Sequence, residues 1–466
     1  MGDYAIAKYI SSTNTDFEGN PFIEALPPRL SVNDFWDAVV DEVELPDNLS
    51  SLDVETLEHK AANIMKSVLP TSQYYDVYCD FLNVLKEGYQ ERNPLNEDTI
   101  RWQNQIATAA YMRTRTTAPA INFIGYSGLG KSTLYDALLT LIAPVLFHPK
   151  SSPLGQDTYQ FVYIKINVPG EADTKSICLL IAAEIDKVLG TDYAKQYQRL
   201  TRKICVAKLI TLCSSLLIGV IILDEIHNIC FSAPNERKNI FTLFDRLSHD
   251  ARVPTIKIGT SKANRLSEKE FTNARRLGIP HDWKNFQAKD PDWKNLVEYA
   301  WEYQLLPQFV ELTPAFEKLV YQLTQGIPHC LFFLVEQTNK YCLRNGLPSF
   351  TDKVLRHVFD TKFSIMKPAI LALKHGNVEA FDDLMVGGNR LEKSVKKHIK
   401  DLLKVAAEHK LKGEEAKSVL EQIEQYLPEY KLTKNESATV KRLEKESTLL
   451  PSCITVDEHG NEDLPI

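Results

Sequence analysis

The chain has 466 residues, of which 44% are apolar, 25% charged and 9% aromatic. That balance excludes a fibrous or disordered protein and allows two or three domains with ample core. The net charge of −7 argues against coating nucleic acid by overall charge, though not against local basic patches.

Residues 1–50 read as an extended arm that docks a partner. "SSTNTDFEGNPFIEALPPRLS" carries Gly19-Asn20-Pro21 and Pro27-Pro28 as loop signals, with Phe17, Phe22, Ile23 and Leu26 spaced to dock on a surface. Helical, polar-faced patterning runs from roughly residue 31 to 114, and 51–114 form an amino-terminal helical region. Strand and helix then alternate. "PAINFIG", "FVYIKINV", "IGVIILDE" and "TIKIGTS" are strands, and "KSTLYDALLTLIA" is an apolar-periodic helix. Such alternation predicts an α/β core over 115–310, a parallel sheet flanked by helices. The chain then turns all-helical, giving a lid over 311–375 ("TPAFEKLVYQLTQ", "PHCLFFLVEQTNKYCLRNG", "TDKVLRHVFDTKF"). A charged helical region with an acidic tail fills 376–466, and no internal repeat is visible.

No run reaches the roughly 18 apolar residues of a membrane helix, and "MGDYAIAKYISSTNTDF" has no basic-then-apolar signal layout. The eight cysteines are dispersed, without C-x-x-C pairs, as expected of reduced thiols in a cytoplasm.

The chemistry concentrates in Gly125 to Thr133, "GYSGLGKST". It satisfies G-x-x-x-x-G-K-[ST] between a strand and a helix. Gly125, Gly128 and Gly130 let the loop curl so that backbone N–H groups of Tyr126, Ser127 and Leu129 turn toward a polyanion, and the helix dipole favours the same charge. Lys131 reaches the β- and γ-phosphates of ATP, and Ser132 supplies a hydroxyl to Mg²⁺, followed by Thr133. About 90 residues on, "GVIILDE" delivers Asp224, to hold Mg²⁺ through water opposite Ser132, and Glu225 as general base. "TIKIGTSKA" ends in Thr260, the preferred polar group for holding the attacking water, with Ser261 in reserve. In "NARRLGIP", Arg275 and Arg276 are candidates for a guanidinium donated in trans to a neighbour's γ-phosphate. "TQGIPHCL" sets His329 in a loop between lid helices as a nucleotide sensor, weaker than an arginine and consistent with slow turnover. "DEIH" is also a helicase signature. No Ser-Ala-Thr triplet follows shortly after it, and no second glycine-arginine motif exists, so that reading falls.

These residues together resemble the AAA+ regulators of DNA transposition of the TnsC/TniB type. The resemblance rests on Gly125–Thr133, on Leu223-Asp224-Glu225 with Ile226-His227, on "IGTSKA" and on "NARRLGIP". The sharper element is "GNPFIEALPPRL" (Gly19–Leu30), similar to the lead-in of TnsC proteins from Tn-seven-like elements, and the likeness spans about 15–375. It implies a bacterial, cytoplasmic, DNA-associated ATPase without a membrane partner. Copies would form a ring or helical filament on double-stranded DNA, joining a TnsA/TnsB-type transposase to a TniQ/TnsD-type target selector. DNA contact would be to phosphates, with Lys175, Arg199, Arg202 and Lys203 as the candidates. The alternatives are a STAND-type switch, which usually carries repeats, and an initiator relative, which should end in a basic winged helix.

Overall fold

The computed structural model describes residues 4–108, 118–170, 172–266, 279–374 and 434–447, with the isolated positions 376, 381, 400, 402–403, 416, 419–420 and 423. Two compact units divide at 362/363.

Among the described residues of the first unit, eight strands form two sheets. They are β1 (Ala5–Ile6), β2 (Ala120–Gly125), β3 (Val145–His148), β4 (Thr158–Phe161), β5 (Tyr163–Asn167), β6 (Val220–Asp224), β7 (Thr255–Thr260) and β8 (Ile279–Trp283). The larger sheet has the order β5-β6-β7-β2-β8 and is parallel throughout. Strand β7 therefore lies between the P-loop strand β2 and the acidic strand β6. A parallel sheet buried on both faces calls for unbroken apolar runs, and Val220 to Leu223 have no exposed surface. Successive residues point to opposite faces. Ile221 and Leu223 pack with the helices Thr174–Leu189, Arg202–Ser215 and Pro234–His249. Phe123 of β2 lies against Tyr135 of helix Lys131–Thr140 and against Trp283.

The stretch expected as one strand, "FVYIKINV", is interrupted at Val162. Its upstream part, β4, pairs antiparallel with β3, and β1 of the arm pairs parallel with β3. The arm thus packs on its own chain. Asn20 caps the helix Pro21–Glu24 by accepting from the Phe22 N–H, Pro21 opens that helix, and Phe22 is 1% exposed. The Asn20 amide also donates to the Tyr89 carbonyl at 2.8 Å, and Gln160 Nε2 donates to the Phe22 carbonyl at 2.9 Å. Gln160 Oε1 in turn lies 2.8 Å from Nε2 of the buried His148. The Asn-Pro-Phe of the lead-in is therefore a capped and anchored helix start.

Helix Ser72–Gln90 is bound to the sheet through Arg92, whose buried guanidinium donates to the carbonyls of Gly88 (2.7 Å), Ile218 (2.6 Å) and Gly219 (3.3 Å). Charge-assisted bonds of this kind contribute roughly 1.5–3 kcal/mol each, so the amino-terminal helices are held firmly to the larger sheet. The helical stretch after 310 forms helices Pro314–Thr324, Pro328–Arg344 and Asp352–Lys362. In the second unit, Lys367–Lys374 and Lys434–Ser447 are helical, and Leu403, Ala416, Leu420, Ile423 and Leu443 share a small apolar cluster. No helix among the described residues is long and apolar enough to cross a membrane.

Candidate nucleotide site

The glycine loop leaves β2 at its carboxyl end and enters helix Lys131–Thr140. Gly128 (φ 82°) and Gly130 (φ 85°) hold left-handed backbone that an L side chain resists, and Gly130 is the residue that caps the helix. Gly125 is glycine for a different reason. It has no positive φ, but a Cβ there would lie 2.7 Å from the Trp283 carbonyl oxygen and 2.8 Å from its Cβ. The expectation that all three glycines serve curvature is corrected at this position. Gly125 makes room for β8, its register partner.

Lys131 is 8% exposed, and its Nζ donates to the Gly125 carbonyl at 2.9 Å and the Tyr126 carbonyl at 2.6 Å. Ser132 Oγ donates to Asp224 Oδ1 at 3.4 Å, a long bond across the gap between helix and strand end. The other oxygen of Asp224 faces Lys165 Nζ at 3.5 Å, and Lys165 also pairs with Asp136. Glu225 follows in left-handed backbone (φ 58°), its N–H bonded to Asp224 Oδ1 at 2.8 Å. A non-glycine residue in this region costs on the order of 1 kcal/mol or more. Burial pushes the Glu225 carboxyl above its ordinary range, the neighbouring Asp224 charge adds to this, and Lys131 opposes it. Thr260, ending β7, has a buried Oγ1 with no hydrogen-bond partner, and the Oγ of Ser261 is likewise unpartnered. A buried hydroxyl left unpaired costs about 1–3 kcal/mol, which a bound water or phosphate oxygen at that point would relieve.

These groups converge on one cavity of about 270 Å³, lined by Ser127–Thr133, Asp224, Glu225 and Thr260 but not by Ser261. His329 lines it as well. It stands in the first turn of helix Pro328–Arg344 rather than in a loop, and its N–H donates to the Gly128 carbonyl at 3.1 Å. Burial lowers its pKa, and the charge of Glu336 opposes this in part. The donors around the expected metal position, a serine hydroxyl and a carboxylate, are all oxygen, as Mg²⁺ requires.

The remaining wall was not anticipated from the sequence. Met65, Val68, Leu69, Thr71 and Tyr74 come from upstream of the P-loop, and Phe286, Leu296 and Phe332 from downstream. They supply the apolar surface that an aromatic base needs. Tyr74 stacks on Trp283 at 5.7 Å between ring centroids, and its hydroxyl lies 3.2 Å from where a Cβ of Gly130 would be. Thr71 precedes helix Ser72–Gln90 with its Oγ1 buried and unpartnered, while Asp292 accepts from the Ser72 N–H and hydroxyl. A fold-dependent wall of this kind has no local signature.

The basic candidates lie on the segments Thr174–Leu189 and 199–203. Lys175 Nζ donates to the Gln198 carbonyl at 2.8 Å, and Arg202 pairs with Glu236 at 2.5 Å. Lys175 is half-buried, whereas Arg199 and Lys203 are exposed beside them. Arg275 and Arg276 lie outside the described residues. No cluster of metal-binding residues occurs among the described ones.

Residues 114–266 match the protein-family model described as "AAA domain". No curated protein matches the chain. Three solved structures are similar to the chain at low identity and low TM-score. The Walker-type ATPase of Pyrococcus abyssi is 12% identical with a TM-score of 0.38, covering 75% of this chain and 89% of that one. Drosophila ORC bound to DNA is 12% identical with a TM-score of 0.40, covering 91% and 88%. The Aeropyrum pernix ORC1 protein in complex with DNA is 16% identical with a TM-score of 0.36, covering 75% and 82%. Likeness at this level says nothing about substrate or partner.

Proposed function

We propose that this chain, which carries an AAA-type P-loop ATPase domain, binds ATP with Mg²⁺ and hydrolyses it. The nucleotide state then governs assembly of its copies on duplex DNA in the service of transposition. The observation that carries the ATPase reading is the convergence of Lys131, Ser132, Asp224, Glu225 and Thr260, from three separate stretches of chain, on one cavity.

In this reading Lys131 exchanges its two loop carbonyls for phosphate oxygens, and backbone N–H groups of the loop hold the β-phosphate. Ser132 and Asp224 would hold Mg²⁺, which when bound neutralises charge on the phosphates. Glu225 takes a proton from the attacking water, and Thr260 Oγ1 fixes that water's position. The bond between the γ-phosphorus and the bridging oxygen breaks, leaving ADP and phosphate. Arg275 or Arg276 is assigned to the neighbouring copy's γ-phosphate, and His329 senses the nucleotide from the lid.

The transposition part rests on the resemblance carried by Gly19–Leu30 and the nucleotide motifs. With it come a TnsA/TnsB-type transposase and a TniQ/TnsD-type selector as partners. Lys175, Arg199, Arg202 and Lys203 are assigned to DNA phosphates. The test is electron microscopy and sedimentation of the protein with duplex DNA and a non-hydrolysable ATP analogue. Oligomers should form on DNA with the analogue and be lost in Lys131→Ala. Equal assembly by that variant, or a parent that stays monomeric with both ligands, overturns the proposal. Replacing Arg199 and Lys203 by alanine should weaken binding to all DNA sequences and flatten its salt dependence.

A further inference from the structure

Glu225 does not stand alone at the end of β6. The chain turns through left-handed backbone at Glu225 and enters a short 3₁₀ turn, Ile226–Phe231, which returns the His227 ring toward the carboxylate two residues earlier. His227 Nδ1 lies 3.1 Å from Glu225 Oε2. The two side chains differ sharply in surroundings, since that of His227 is 8% exposed and that of Glu225 is 49% exposed. Nδ1 is buried and makes no well-aligned hydrogen bond, although it is within reach of the carboxylate. A ring nitrogen in this position has a partner only if the carboxylate rotates slightly onto it.

We propose that His227 is a positioning residue for Glu225, donating from Nδ1 to one carboxylate oxygen so that the other is aimed at the attacking water. This rests on the ATPase reading above and adds to it a residue that the P-loop and Asp-Glu patterns do not assign.

The physical case has three parts. A half-exposed glutamate has three rotatable bonds, and a proton acceptor must be held within about 3 Å of its donor to be effective. The buried imidazole has little freedom and can impose one rotamer. The surrounding charges also suit a neutral donor. Burial together with the Lys262 and Lys131 cations lowers the His227 pKa to about 4, and Asp224 opposes this only in part. With the ring neutral, the hydrogen bond does not quench the basicity of Glu225 as a full ion pair would. Finally, Asp224 is itself an acceptor, taking hydrogen bonds from Ser132 and the Glu225 N–H, and has no proton with which to orient a second carboxylate.

The test compares His227→Ala, His227→Asn and His227→Gln in the full chain, with Glu225→Gln as the reference for loss of the base. Asparagine places its amide N–H near Nδ1, whereas glutamine places it near Nε2. His227→Ala should lower kcat about tenfold or more, leaving KM for Mg-ATP and the Kd of a non-hydrolysable analogue within about twofold. His227→Asn should recover to within about threefold of the parent, and His227→Gln should remain low, with melting temperatures recorded for all three. Parental turnover in His227→Ala beside an inactive Glu225→Gln overturns this inference alone. Equal impairment of the Asn and Gln variants does the same, since a purely packing role would not separate them. A parent that hydrolyses no ATP, with or without DNA, overturns the ATPase reading and this inference together.

Discussion

Ser132 Oγ and Asp224 Oδ1 face one another at 3.4 Å, one from the first turn of the P-loop helix and the other from a strand two places away in the sheet. A divalent cation between them would replace this long hydrogen bond with two oxygen ligands. Ser132→Ala should therefore weaken Mg-ATP binding about tenfold while changing affinity measured in EDTA by less than about twofold. Titration with a fluorescent ATP analogue, with and without Mg²⁺, checks this.

Glu225→Gln removes the proton acceptor while keeping shape. General-base losses are about 10²–10⁴-fold, so kcat should fall by at least about a hundredfold with analogue affinity nearly unchanged. The pH dependence has a definite sign. The carboxylate works only when ionised, and burial and Asp224 raise its pKa above the ordinary 4.5. Turnover should fall on acidification with a midpoint above 4.5, and this limb should be absent from the residual rate of Glu225→Gln.

Gly125→Ala should destabilise the fold rather than act through loop conformation. Its Cβ would meet backbone, the Trp283 carbonyl oxygen at 2.7 Å, and backbone does not swing aside as a side chain would. Overpacking of this kind costs about 1–3 kcal/mol. Urea unfolding of the variant should show the loss, and a midpoint equal to the parent's would refute the steric role assigned to Gly125.

Lys257 is buried inside β7, bonded to Thr255 Oγ1 at 3.0 Å, and desolvation lowers its pKa from 10.5 to about 8 despite the nearby Asp245. Below pH 8 both folded and unfolded states carry the charge, and the folded state bears a penalty of up to ~3 kcal/mol. Between about pH 8 and 10.5 the unfolded state holds more protons, so stability rises with pH. Lys257→Met should be more stable than the parent at pH 7, by an amount that shrinks by pH 9.5, as chemical denaturation at the two pH values will show.

The α/β core and the carboxyl-terminal helices were legible because their signals are local. Mostly apolar strands at 120–125 and 220–224, an alternating one at 255–260 and a patterned glycine loop are written in consecutive residues. Strand β8 was not read, because "IPHDW" has a proline, a histidine and an aspartate where apolar residues are expected. Among the described residues it is an edge strand, paired with β2 alone, and so tolerates them. The break at Val162 was hidden for the opposite reason, since both sides of it are apolar and only the three-dimensional sheets separate them. At the site, the phosphate half was readable and the base half was not. Met65, Val68 and Leu69 are ordinary core-like residues until the fold brings them opposite Ser127–Thr133. His227 sat within a familiar four-residue signature, and its relation to Glu225 depends on the left-handed turn between them.

The wall supplied by residues 65–74 means that the ATPase cannot be cut out along its motif boundaries. A fragment beginning near residue 115 would keep every phosphate-gripping group and leave one flank of the cleft open to water. The helix that follows this wall is stitched to Ile218 and Gly219, just ahead of β6, through Arg92 and to the arm through Asn20. Arm, helix Ser72–Gln90 and cleft wall are thereby one hydrogen-bonded unit, so a truncation that removes Asn20 also takes away an anchor of the helix that carries Tyr74 into the cleft.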